Sequence, residues 1–405
     1  MNSVETQHKN PTEALLSGGL FPKALVVGLL SLLGAVALGF SQGDGGKHFF
    51  HAYLVAVLFV LTLSLGALFF VTLQHLTRAG WSVAVRRVAE LLAANVWVVV
   101  VLLLPVLVSV AMGRTELYSW VDHHMVEHDH MLHRKAGYLN VPFFLLRACV
   151  YFLVWILASR FYLKNSLKQD VSKDPRITLL MQKRSPVVMM FFGVTLSFAA
   201  FDWVMSLDPH WFSTMFGVYI FAGAVLAFFA TMVVAVSSLE KQGALKGLVS
   251  FEHYHDLGKF LFGFVFFWGY IAFSQFMLIW YANIPEETVW FKHRTEGAWL
   301  YVCAVLIVGH FVVPFAGLLS RHVKRKVCVL KMWALFLLVM HWVDLYWLVM
   351  PNYDAHHVPL HVLDLLCMLG VVGVYVAMLA RSMAGKHAVP VGDPRLPESL
   401  AFENI

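Results

Sequence analysis

FHAYLVAVLFVLTLSLGALFFVTLQHL, residues 50–76, contains no Asp, Glu, Lys or Arg. About 20 apolar residues at ~1.5 Å of rise each cross the ~30 Å hydrocarbon core of a bilayer. The run is too long and too uniformly apolar for a barrel strand, and a helix satisfies its backbone groups within the segment. Runs of the same kind stand at 22–41, 88–112, 141–161, 187–206, 212–237, 257–281, 298–320, 329–351 and 360–382. The expected fold is an all-α integral membrane protein with about ten transmembrane helices. Composition agrees: 60% of the 405 residues are hydrophobic, 13% are charged, and mean hydropathy is +0.71. A soluble domain of this size would carry about 25% charged residues.

The start of the chain, MNSVETQHKN, is polar and shows no positive segment leading to an A-x-A cleavage pattern. The first apolar run is therefore expected to be a span, not a signal peptide. Thirty Lys and Arg against 24 Asp and Glu give a net charge of +6. That excess could suggest a nucleic-acid partner, but its distribution does not. Counted by parity of spans, the side opposite the N-terminus receives only Lys47, Arg114, Arg134, Lys135, Lys292 and Arg294, and Arg147 falls inside a span. The remaining basic residues share the side of both ends, which predicts cytoplasmic termini. The expected organisation is a cytoplasmic tail over 1–21, a ten-helix domain over 22–382, and a cytoplasmic tail over 383–405. A His-rich periplasmic loop is expected over 113–140, with further loops at 162–186 and 282–297. The proline-rich tail reads as poorly ordered unless a partner covers it. Cys149, Cys303, Cys328 and Cys367 form no C-x-x-C pair, which argues against covalent haem or a cysteine-bound iron–sulfur cluster in this chain.

Ionisable residues within hydrocarbon are rare and costly, so they are the first candidates for function. Asp202 lies about a turn inside the outer end of the fifth span. It reads either as a proton site or as a bond to a neighbouring helix. His341 and Asp344 are three residues apart and share a helix face, as a proton relay or an interhelical tie would require. Asp364 can extend that layer. His310 is a second deep histidine, but no repeated His pairs suited to haem b accompany it. His51 stands near the outer end of the second span. Glu252 and Asp256, with His253, His255 and Lys259, open the seventh span from the inner side. They read as a proton entrance or as ordinary acidic residues at a helix start. His123, His124, His128, His130 and His133 can serve a metal or a partner surface, and nothing in their spacing imposes a metal. Trp203, Trp211, Trp280, Trp290, Trp299 and Trp347 read as an interfacial aromatic belt.

FDWVMSLDPHWFSTMFGVY at 201–219, YANIPEET at 281–288 and HFVVPF at 310–315 resemble the second NrfD-like, or polysulfide-reductase-C-like, membrane subunit of bacterial alternative complex III. The resemblance covers most of the chain. It implies four-helix bundles with peripheral helices, ten in all, in the bacterial inner membrane. The implied assembly is a respiratory quinol:cytochrome c or quinol:electron-acceptor oxidoreductase. Its other members would be a related NrfD-like subunit, a periplasmic iron–sulfur protein, c-type cytochromes, small membrane subunits and, in some cases, a terminal oxidase. Haem c and iron–sulfur clusters would then lie in partner subunits, quinol would be the substrate of the complex, and structural lipids would surround it. No cofactor is expected on this chain.

The resemblance implies a role in assembly and in a proton path, carried by Asp202, His310, His341 and Asp344. A direct quinol-binding catalytic subunit is the alternative within the family, and a secondary transporter is the alternative outside it. The sequence shows no matched pair of broken segments of the kind transporters use.

Overall fold

The computed structural model describes residues 16–403. Most of the expected N-terminal tail, with Lys9, lies outside the described residues. Ten helices long and apolar enough to cross a bilayer run through Phe21–Ser41 (α1), Lys47–Leu76 (α2), Val83–Ala111 (α3), Val141–Ser172 (α4), Pro175–Leu207 (α5), Phe216–Lys241 (α6), Phe251–Ala282 (α7), Trp299–Leu318 (α8), Val327–Asn352 (α9) and Val362–Met383 (α10). The protein is all-α and spans the membrane through multiple passes. Leu16 and the segment after α10 meet on one face, where the Leu16 N–H donates to Lys386 O at 2.8 Å. We call this the terminal face and the opposite one the far face.

Several helices outrun their apolar cores. The stretch 162–186, expected as a loop, is mostly helix: α4 continues to Ser172 and α5 starts at Pro175. Lys173 supplies the left-handed turn between them (φ 53°), and Asp174 caps the Arg176 N–H at 2.9 Å. α3 begins five residues before its expected start because Arg86 and Arg87 are paired, not solvated. α7 begins at Phe251, opened by a reciprocal cap between Ser250 and His253. Beyond the far face, His123–His128, His130–Lys135 and Pro285–Thr295 form short helices.

α2 is apolar on all sides and occupies the centre, against α3, α5, α6, α9 and α10. Gly66 makes its contact with α6 possible. A Cβ there would stand 2.5 Å from Ala224 O and 2.5 Å from Phe228 Cβ. α1 is peripheral and rests on α10 through Gly28, Gly370 and Gly373, where backbones touch. Gly66→Leu should cost about 3 kcal/mol or more by forcing the two central backbones apart. A detergent-solubilised melting curve checks this, with Gly193→Leu, where a Cβ would meet no atom within 4 Å, as the neutral control.

The segment after α10, expected to be loose, is packed beneath the terminal face. Gly392 lies so close to α4 that a Cβ would meet Gln169 O at 1.9 Å. Asp393 pairs with Arg86. Arg86 Nε also reaches Glu90 at 3.2 Å, and Arg87 binds Asp170 at 2.7 Å and Ser166 at 3.2 Å. The Ser399 hydroxyl accepts from Ala84 N–H at 3.0 Å and donates to Trp81 O at 2.5 Å. This buried charge network holds the segment down. Asp393→Asn should lower stability by about 3 kcal/mol, as expected when one partner of a buried pair is removed. Arg86→Met combined with Asp393→Leu should recover part of that loss in the same melting assay.

Candidate functional site

Five of the central helices converge on one buried polar cluster. Asp344 of α9, 1% exposed, accepts hydrogen bonds from the Tyr219 hydroxyl of α6 and from Trp268 Nε1 of α7 at 3.2 Å. Both donors are neutral. His341, one turn earlier on α9, meets Thr62 of α2, with Nε2 and Oγ1 2.9 Å apart. The single hydroxyl hydrogen of Thr62 goes to Phe59 O at 2.7 Å. His341 Nε2 must then be the donor, which leaves Nδ1 as a lone-pair nitrogen with no partner among the described residues. His341 and Asp344 share a face but bond to different helices.

Gly223 of α6 clears the space beside them. A Cβ there would lie 3.2 Å from His341 Cε1, 3.4 Å from Nδ1 and 3.7 Å from Asp344 Oδ2. On α8, the His310 ring packs over Trp268 at a centroid distance of 4.0 Å, and neither ring nitrogen has a partner among the described residues. His310 lies in a seven-residue π-helical turn, Leu306–Val312. Pro314 has no N–H to give the His310 carbonyl four residues back, so the wider turn relieves a defect that an α-helix would carry. Such turns recur at functional positions. The cluster therefore contains a carboxyl group, two imidazoles and a phenol, all on membrane-spanning helices. Asp344 can hold a proton there or give it up, and the imidazole nitrogens can relay it.

The other expected residues occupy separate places. Asp202 on α5 is fully buried and held by Arg147 of α4 in a two-pronged pair at 2.7 and 2.9 Å. The Tyr151 hydroxyl adds a third bond at 2.7 Å, and the guanidinium covers the Tyr138 ring at 3.8 Å. At the far face, Asp364 caps the start of α10 through His361 N–H at 2.8 Å and meets His48 Nε2 at 3.3 Å. Beside it, Asp44 accepts from Gly46 and His48 N–H groups, both at 2.9 Å. Burial raises the Asp44 pKa, but these bonds outweigh it and hold the carboxyl below its ordinary range. His51 bonds to Lys47 O at 2.8 Å. At the terminal face, Glu252 binds Arg325 at 2.5 Å and Asp256 pairs with Lys259.

Sequence reasoning singled out His341, Asp344 and His310 but not Tyr219, Trp268 or Thr62. The available signal was that a Tyr hydroxyl or Trp N–H at mid-span needs an acceptor. It also missed Arg294, which is buried in the far-face helix against Trp290 at 3.8 Å and, among the described residues, bonds to the carbonyls of Trp290 and Leu348. Burial lowers its guanidinium pKa to about 9. Among the described residues, no three His, Cys, Asp or Glu side chains converge as a metal-holding group. In the His-rich loop, His124 stacks on His128 at 4.3 Å while Asp129 binds His210 at 2.5 Å.

These features define a multi-pass integral membrane protein with a polar cluster buried at its centre. Compared with models of known families and with curated proteins, the chain matches none.

Proposed function

We propose that this chain is the second NrfD-like membrane subunit of an alternative-complex-III-type quinol:electron-acceptor oxidoreductase. In this reading it supports assembly and carries a proton step through the membrane interior. Asp344 holds the proton, with Tyr219 and Trp268 as its donors and His341 and His310 as neighbouring relays. The terminal face lies in the cytoplasm of a bacterial inner membrane, following the excess of basic residues on that side. The helices group into NrfD-like four-helix bundles with α1 peripheral. The partners are a related membrane subunit, a periplasmic iron–sulfur protein and c-type cytochromes, which hold the redox groups.

The observation that carries the reading is Asp344. It is a buried carboxyl group on a membrane-spanning helix, bonded to two neutral donors. Intramembrane carboxylates in such settings mark ion and proton routes. The family assignment rests on the motifs at 201–219, 281–288 and 310–315. Direct quinol binding at Asp202 has less support. The cavity beside Asp202, lined by Lys135, Tyr138, Trp211 and Phe212, encloses about 220 Å³. Small-molecule sites enclose roughly 300–1,000 Å³.

The test is purification from native membranes, followed by proton-to-electron measurements in vesicles. Copurification of c-type haem and iron–sulfur partners supports the assembly. A chain that purifies alone and moves a solute overturns it in favour of a carrier.

A further inference from the structure

A cavity of about 600 Å³ opens on the flank of the bundle between α2, α6 and α7, and none of the Asp344 cluster's residues lines it. Phe69, Phe221, Phe260, Phe264 and Phe267 wall it, and Trp81 closes its terminal-face end with Asp256 and Lys259. Trp81 stacks on Phe260 at 5.9 Å, 16° from parallel. Gly263, on the exposed side of α7, leaves the middle open, since a Cβ there would meet no atom within 4 Å.

We propose that this groove is a binding site for one phospholipid with an amine-bearing, zwitterionic headgroup of the phosphoethanolamine kind. Depth, length and charge support the assignment. The wall belongs to membrane-spanning helices, so the opening faces hydrocarbon. A Trp at the end of a span marks the headgroup level. Along α7 the lining runs from Asp256 to Phe267, about 16 Å at ~1.5 Å per residue. That is half of the ~30 Å hydrocarbon thickness, hence one leaflet. A helix from a partner subunit would call for an apolar face across both leaflets. The groove instead has the length of an acyl chain.

Among the described residues that line it, the polar end carries one carboxylate and one ammonium, paired side by side. A phosphate beside Lys259 and an ammonium beside Asp256 would complete an alternating set of four charges. A quinone ring offers no charge to either group, and a purely anionic head would set its charge against Asp256.

The test uses the full-length chain, purified from its membrane in mild detergent with whatever subunits accompany it. It is delipidated, then titrated with phosphatidylethanolamine, phosphatidylglycerol or ubiquinone and read by native mass spectrometry. The expected result is one phosphatidylethanolamine adduct per chain that resists delipidation. Gly263→Trp, which fills the groove, should weaken that adduct by about tenfold or more, while Gly263→Ala retains it. Lys259→Gln, which leaves the groove open, should remove the preference for phosphatidylethanolamine over phosphatidylglycerol. Equal adducts in wild type and Gly263→Trp would overturn the proposal. So would retention of ubiquinone in place of phospholipid, a polypeptide cross-linked at position 263, or an unchanged preference in Lys259→Gln.

Discussion

Asp202→Asn is expected to destabilise the protein by about 3–5 kcal/mol, the cost of leaving one member of a buried ion pair without its partner. Three bonds converge on this carboxylate, two from Arg147 and one from Tyr151. An amide has a single acceptor oxygen, and its NH₂ would point at the guanidinium or the phenol. Arg147 would keep its carbonyl contact with Tyr138 at 2.8 Å but lose its anion. Arg147→Met should cost a similar amount, and the double variant should be more stable than either single one. Thermal unfolding in detergent, run as a double-mutant cycle, measures the coupling. A carboxylate that loads and unloads protons during turnover would behave differently. Melting would then be unchanged in Asp202→Asn while proton movement disappears, and that result would return Asp202 to the proton path.

Asp344→Asn should show the opposite pattern. The amide oxygen can still accept from Tyr219 or Trp268, so stability should change by only about 1 kcal/mol, the worth of one neutral hydrogen bond. The variant cannot release a proton from that position. The rate of proton movement should fall by a factor on the order of 10² or more, the scale of a lost acid–base group. Tyr219→Phe should lower it partially, because the carboxylate keeps its bond from Trp268. The readout is proton release and electron transfer measured together in vesicles, with melting as the fold control. Wild-type proton yield in Asp344→Asn, with assembly intact, would eliminate this cluster as the proton route.

The ten spans were legible because hydrocarbon demands long apolar runs and few residues disguise them. Their ends were not. Arg86, Arg87 and Asp170 look like solvent-facing residues in sequence, yet they lie in helices because each finds a counter-charge that only the folded chain supplies. Likewise, the spacing of His341 and Asp344 placed them on one face but left a relay and an interhelical tie equally open. Their actual partners come from α2, α6 and α7, and side chains such as Thr62, Tyr219 and Trp268 are too common in membrane helices to stand out. Arg147 was visible as a basic residue within a span, which is itself a signal that an acid lies opposite. Asp202 was visible for the same reason. Only the structure shows that the two are joined.

Residues 384–403 leave the ribosome after all ten helices have been threaded into the membrane, yet Asp393 supplies an anion to Arg86 on the third of them. Throughout synthesis that guanidinium has only Glu90 to answer it. Polypeptides interrupted before this point would leave Arg86 sharing Glu90 with Arg87, whose guanidinium lies 3.4 Å from the same carboxylate.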